Sequence, residues 1–147
     1  MSGAGQRVLS MLLWSWGGTV YFLLEVAFKS VTHEPERISW TMLVLAMLLT
    51  VPVERCGEQL PWEVPLIWQA LVCAALATAA EFAAGLILNV WLGLGIWDYS
   101  HMWGNILGQI CPQFFLVWWV LCLVFIPMFD WLRWAVTGGR KPTYKLI

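Results

Sequence analysis

The sequence predicts an all-α fold, a polytopic bundle of four transmembrane helices, in which residues 1–147 form a single domain. Of the 147 residues, 61% are hydrophobic and 12% are charged, whereas a soluble domain is about half apolar and a quarter charged. The mean hydropathy is +0.73. Four apolar runs are close to, or longer than, the roughly 20 residues that a spanning helix needs. A net charge of -1 excludes a protein that binds nucleic acid by neutralising phosphates.

The four predicted spans cover residues 8–30, 37–54, 65–94 and 106–134. The first span contains Glu25, and the second is short because Pro52 and then Glu54 and Arg55 close it. The third and fourth runs exceed one straight crossing of the bilayer. Tilting, kinking or an interfacial extension is therefore expected in both.

Pro112 divides the fourth run, because proline is favoured in the first turn of a helix and disrupts a helix interior. A span over residues 113–131 is therefore predicted. A short interfacial or re-entrant helix over residues 99–111 would precede it. One long helix kinked at Pro112 is an equally open interpretation.

The distribution of lysine and arginine predicts the orientation in the membrane. With four spans, both termini share a side with the second loop. That side carries six basic residues and the other carries two: Arg7, Arg55, Arg133, Arg140, Lys141 and Lys145 against Lys29 and Arg37. The sequence therefore predicts a multi-pass protein of the cell membrane with both termini in the cytoplasm.

The motifs of metal sites and of common enzymes are missing from the sequence. The cysteines Cys56, Cys73, Cys111 and Cys122 lack zinc spacing, and His33 and His101 are isolated in predicted loops. No P-loop, nucleophile elbow or HExxH motif occurs. We therefore expect no metal, no cofactor and no catalytic residue, and use of ATP would require another chain.

Two carboxylates fall inside predicted spans, where an ionisable group costs about 2.5–3.5 kcal/mol and is a functional candidate. Glu25 lies in the outer half of the first span, and Glu81 lies near the middle of the third. Glu81 shares a helix face with Gly85 and, two turns on, with Asn89, so this face is predicted to point into the protein. Glu81 then binds a substrate or proton, or makes a structural hydrogen bond between helices. Glu25 could instead pair with Lys29, one turn further on.

A third polar cluster lies at the predicted outer end of the third span, although Asp98 or Ser100 could simply cap the segment that follows. If Glu25, Glu81 and Asp98 converge, they form an acidic, partly dehydrated pocket. Such a pocket favours a proton, a metal ion or an organic cation, with tryptophans available for cation–π contact. The candidate substrate- or ion-binding residues are Glu25, Glu81, Asn89, Trp97, Asp98, Tyr99, Asn105 and Gln109.

Three stretches, residues 81–85, 97–100 and 105–110, resemble the bacterial integral membrane family labelled "putative ABC-transporter type IV". In that family a Glu-containing helix leads to a Trp-Asp-Tyr-Ser turn, and an Asn and a Gly open the next helix. Residues 16–25 are similar to the Gly…Glu first helix of the family, whereas the second span lacks its Gly-Pro-rich start. The resemblance implies a transporter component with motif positions at Glu25, Glu81, Trp97, Asp98, Tyr99, Asn105 and Gly108.

The sequence thus predicts a small transporter or permease-like subunit, not an enzyme, with an intramembrane carboxylate site for a cation, proton or small polar solute. Four spans are few for a complete pathway, so a homodimer or a partner membrane chain is expected within the lipid bilayer. The alternative is a structural or regulatory membrane subunit whose carboxylates tie helices together. An enzyme that uses Glu81 and Asp98 as an acid–base pair ranks last, because no nucleophile accompanies them.

Overall fold

A computed structural model describes residues 2–32 and 38–147, with residues 56–58 described by their backbone alone. Its four α-helices are α1 (Gly3–Val31), α2 (Trp40–Gln59), α3 (Leu66–Gly85) and α4 (Pro112–Thr137). A π-helical segment, Leu86–Trp91, continues α3 without a break. The described residues contain no β-strand, only an isolated bridge between Ile106 and Ile110. The all-α prediction is confirmed.

Three helices are long and apolar enough to cross a membrane: α1, α3 with its π-helical extension, and α4. Among the described residues α2 does not qualify, so three candidate spans are found where the sequence predicts four. Within the described side chains, the apolar run of α2 is short. It ends where Glu54 and Arg55 follow Pro52.

The helix boundaries correct the fourth predicted span, which begins at Pro112 and not at residue 106. Pro112 occupies the first turn of α4, so the long kinked helix is wrong. The short helix over residues 99–111 is not confirmed, because these residues form a series of turns. The predicted start of the second span at residue 37, His33 and the side chain of Cys56 lie outside the described residues.

Successive helices run in opposite directions. At one end, which we call the termini end, Arg133 near the end of α4 pairs with Glu54 near the end of α2. At the same end the first amide of α3, on Leu66, donates to the carbonyl of Lys145 in the C-terminal tail. At the other end, the loop end, Phe28 of α1 packs edge-on against Phe114 at the start of α4. Both described chain ends therefore lie at the termini end.

Helix α2 packs against each of the other three helices, and small residues permit the closest approaches. A Cβ atom added at Gly18 of α1 would lie 2.6 Å from the Cα of Met47 in α2. Ala46 of α2 and Ala70, Ala74 and Ala77 of α3 have no exposed surface. Backbones that approach this closely gain van der Waals contact, which drives helix association in lipid.

Residues 92–111 form a compact turn-rich segment that covers the loop end between α3 and α4. The amide of Tyr99 donates to the carbonyl of Gly108, and the side chain of Asn105 donates to the carbonyls of Ser100 and Met102. Gly108 has a φ of 69°, which favours glycine. A Cβ atom at this residue would also lie 3.0 Å from the Asp98 carboxylate, so a side chain would be crowded there. The segment therefore fixes the motif residues in place without a helix.

Candidate functional site

The carboxylate of Glu81 is buried in the bundle, with 6% of the residue exposed. Helix α3 buries Ala77, Glu81 and Gly85 along one face, as the spacing predicts. The indole Nε1 of Trp118, in α4, donates to Oε2 of Glu81 at 2.9 Å. The hydroxyl of Tyr99, in the turn segment, donates to Oε1 at 3.2 Å. Each carboxylate oxygen thus has one donor, and the two donors come from different parts of the chain.

Aromatic rings surround both donors. The ring of Tyr21, in α1, stacks on Trp118 with the ring centroids 5.0 Å apart. The ring of Phe114 stacks on Tyr99 at 4.4 Å. These stacks fix the direction in which the indole N–H and the phenol hydroxyl point, so the environment of Glu81 is preorganised.

A cavity of about 270 Å³ opens at the loop end. Glu25, Lys29, Asp98 and His101 contribute its ionisable groups. Its aromatic lining consists of Phe28, Trp97, Tyr99 and Phe114. Tyr99 therefore borders the cavity and also contacts Glu81, which does not itself line the cavity.

Glu25 and Lys29 form an ion pair one helical turn apart, with Oε1 and Nζ separated by 3.2 Å. Lys29 is 4% exposed, and its Nζ also donates to the carbonyl of Ile96 at 3.1 Å. The pair thus joins α1 to the turn segment beside the cavity. The alternative that Glu25 pairs with Lys29 is the arrangement seen in the structure.

Asn89 and Gln109 are not brought to the cavity, although both are candidate binding residues. The Asn89 amide donates to Oε1 of Gln109 at 2.9 Å and accepts from the amide of Ile96 at 2.7 Å. The carbonyl of Gln109 accepts from the indole of Trp97 at 3.0 Å. The side chain of Asn105 likewise bonds to backbone groups of its own loop. These residues hold the turn segment against the end of α3.

The three carboxylates expected to converge do so only in part. Glu25 and Asp98 line one cavity, and Glu81 is connected to it through Tyr99. Asp98 is exposed and accepts from the amide of Ser100 at 2.8 Å, the local turn that a cap would make. Within the described residues no group of three or more His, Cys, Asp or Glu side chains could hold a metal ion.

A second buried polar cluster lies at the termini end, and sequence reasoning missed it. Glu54 and Arg133 form an ion pair in which their side chains are 1% and 17% exposed. Ser10 and Trp14, one turn apart on α1, donate to the two oxygens of Glu54 at 3.3 and 3.1 Å. The one available signal was the four-residue spacing of these two donors. In the sequence, Glu54 marks the end of the second predicted span, and Arg133 counts among the basic charges at the end of the fourth.

Trp118 was also missed as a functional residue. Its position deep in an apolar run is typical of packing, and nothing local in the sequence connects it to Glu81, 37 residues away. Only the antiparallel packing of α3 and α4 brings the two residues together.

A comparison with protein-family models finds one described as "Putative ABC-transporter type IV", which matches residues 8–138. The match spans all four helices and includes every candidate residue. No curated protein matches the chain. No solved structure matches it either.

Proposed function

The chain belongs to the family described as "Putative ABC-transporter type IV", and from this we propose that it is a small transporter or permease-like membrane subunit. The proposed site takes up a proton or a small cationic solute in the cavity at the loop end. Its candidate residues are Glu25, Trp97, Asp98 and Tyr99 at the cavity, and Glu81 behind Tyr99. The family description refers to a transporter and names no enzymatic activity.

The proposal rests on Tyr99, which contacts Glu81 on one side and lines the cavity on the other. Its hydroxyl contacts the buried carboxylate of Glu81 at 3.2 Å, and the residue also lines the cavity of about 270 Å³. Buried ionisable groups of a membrane bundle mark ion and proton pathways when they face a cavity. Tyr99 supplies the connection between the buried group and the open space.

The hydrogen-bonding capacities of Trp118 and Tyr99 determine which oxygen of Glu81 can carry a proton. The Trp118 indole can only donate, so Oε2 of Glu81 must remain an acceptor for this contact to persist. A phenol hydroxyl can donate or accept. A proton on Oε1 therefore keeps both contacts if the bond to Tyr99 reverses its direction. We propose that Glu81 exchanges its proton with the cavity through Tyr99.

The charges and rings of the cavity favour a cation over an anion. Two carboxylates, on Glu25 and Asp98, face one ammonium group, on Lys29. Trp97 and Phe114 also line the cavity, and aromatic rings attract organic cations. The Glu25–Lys29 pair partly compensates the acidic charge, so the site would suit a small, singly charged solute.

We also propose that all four helices cross the cell membrane, with both termini in the cytoplasm. At 20 residues, α2 is about 30 Å long, the thickness of the hydrocarbon core. It packs against all three candidate spans. Four helices form a small pathway, so a second copy of the chain or a partner membrane chain would complete it.

Proton flux into proteoliposomes tests the site. An acid pulse is followed with an internal pH-sensitive dye, with potassium and valinomycin holding the membrane potential. We expect flux from the wild type, and we expect Glu81→Gln and Tyr99→Phe to reduce it to the rate of protein-free vesicles. Tyr144→Phe removes a hydroxyl at the opposite end and is the matched control, so its flux should equal that of the wild type. No flux from the wild type, or full flux from Glu81→Gln, would refute the proposal.

A structural role for Glu81 is the second candidate, because both of its oxygens are occupied by donors from separate elements. A structural subunit in which Glu81 ties helices together would give no flux. In that case Glu81→Leu, which leaves both donors unsatisfied, should lower stability more than Glu81→Gln, which can still accept one hydrogen bond. Thermal unfolding in detergent separates the two variants.

A further inference from the structure

The termini end contains a second cavity, of about 440 Å³, which the proposed transport site does not use. Its walls come from residues 60–63 between α2 and α3, from the last turns of α4, and from residues 139–140 of the C-terminal tail. Pockets of this size are typical of small-molecule sites.

The C-terminal tail, which contributes residues 139–140 to this cavity, is held by specific contacts. The hydroxyl of Tyr144 donates to the carboxylate of Asp130 in α4, and burial and this carboxylate raise the pKa of Tyr144. The carbonyls of Lys145 and Leu146 accept from the amides of Leu66 and Ile67 at 2.8 and 3.4 Å. They satisfy two amides at the start of α3, where no side chain caps the helix. The cavity is therefore part of the folded structure.

Opposite charges line the same cavity. Arg133 and Asp130 are engaged with Glu54 and Tyr144, respectively. Arg140 and Glu63 are both exposed, and the described part of the chain offers neither of them an ion pair or hydrogen bond. The cavity thus presents one guanidinium and one carboxylate to a ligand.

Tryptophans and basic residues place the cavity at the level of the lipid headgroups. The guanidinium of Arg140 lies over the ring of Trp62 at 5.1 Å, and the Nζ of Lys141 lies over Trp131 at 5.2 Å. Tryptophans at the ends of spans are typical of the membrane–water interface. At the same end of the bundle, Trp68 in the first turn of α3 is 59% exposed and offers an apolar surface to lipid chains.

We propose that this cavity binds the headgroup of a zwitterionic phospholipid, with the phosphate at Arg140 and the ammonium group at Glu63. Guanidinium groups bind phosphate through paired, charge-assisted hydrogen bonds. A purely anionic headgroup would leave Glu63 facing a like charge. The acyl chains lie along the exposed apolar surface of α3. Free phosphoethanolamine has the same polar chemistry but no chains, so the lipid and the soluble compound are distinguishable.

Native mass spectrometry of the full chain in detergent can test this with phosphatidylethanolamine, phosphatidylglycerol and O-phosphoethanolamine. We expect the wild type to prefer phosphatidylethanolamine. Arg140→Gln should raise its Kd about tenfold, the loss expected for a charge-assisted hydrogen bond. Glu63→Gln should abolish the preference over phosphatidylglycerol. Arg7→Gln, an exposed charge at the same end outside the cavity, is the matched control and should bind as the wild type does.

Three results would overturn the proposal. They are unchanged lipid binding by Arg140→Gln, equal binding of the two phospholipids by the wild type, and O-phosphoethanolamine binding as tightly as the lipid. The last result would make the site one for a soluble phosphate compound. The Glu63→Gln arm compares two lipids on one variant, so a general loss of stability cannot mimic its expected result.

Discussion

At the scale of single residues, the ion pair between Glu54 and Arg133 joins the ends of α2 and α4 where little water reaches. Removing one partner of a buried pair leaves the other charge uncompensated, which costs about 3–5 kcal/mol. We expect Glu54→Gln to cost about 3 kcal/mol, the lower value, because Arg133 keeps 17% of its side chain exposed. Chemical unfolding in detergent micelles measures this loss.

A double-mutant cycle separates the charge from the rest of the contact. We expect Arg133→Leu to be destabilising alone, since it leaves the Glu54 carboxylate buried without its cationic partner, while Ser10 and Trp14 still donate to it. The combination Glu54→Gln with Arg133→Leu should recover much of the loss, because neither buried charge remains. Arg7→Gln serves as the control for a remote charge. A combined loss equal to the sum of the two single losses would show that the residues are not coupled.

The candidate site illustrates which residue roles a sequence can reveal. The burial of Glu81 beside Ala77 and Gly85 was predictable because helical spacing is a local property. Its donors, Tyr99 and Trp118, are 18 and 37 residues away, and no local pattern links them to it. The sequence can therefore predict a buried carboxylate but not what satisfies it.

The side-chain amides pose a different problem for sequence-based prediction. Asn89 and Gln109 can bond equally well to a ligand or to a loop, because an amide offers both donors and acceptors. In the structure they bond to each other and to the turn segment. Residue type and spacing could not distinguish the two roles.

At the scale of elements, the crossing of α1 and α2 depends on Gly18. A methyl group there would lie 2.6 Å from the Cα of Met47, so the two helices would have to separate. We expect Gly18→Ala to destabilise the protein by about 1–3 kcal/mol through overpacking. Gly3→Ala is the matched control, because a Cβ at Gly3 meets no atom within 4 Å. Thermal unfolding in detergent should show a loss for Gly18→Ala alone, and an equal response of both variants would contradict this account.

Helix boundaries were predictable where one residue imposes a backbone constraint. Pro112 begins α4 because a proline lacks an amide hydrogen and fits the first turn. The segment before it contains Gly104 and Gly108, both with positive φ. Such glycines favour turns over a helix, but their four-residue spacing is also that of a close-packing stripe on one helix face.

At the scale of the whole molecule, composition and packing lead to different conclusions about whether α2 crosses the membrane. Hydropathy selects α1, α3 and α4, whereas α2 carries Pro52, Glu54 and Arg55 in its second half. In the packing, however, α2 contacts all three of the helices that hydropathy selects. A charged helix end is tolerated in a membrane when other helices satisfy it, and Arg133, Ser10 and Trp14 do so for Glu54.

The number of crossings decides where the termini lie, so topology reporters can test the proposed four-span arrangement. Four spans place both termini on one side of the membrane, whereas three spans place them on opposite sides. We expect a fluorescent protein fused to either terminus to fluoresce, and alkaline phosphatase fused there to be inactive, since both termini are proposed to be cytoplasmic. Phosphatase inserted after Gly93, in the turn segment at the loop end, should be active. Because Arg133 of α4 pairs with Glu54 of α2, reporters that place the two termini on opposite sides would contradict both the topology and the antiparallel bundle.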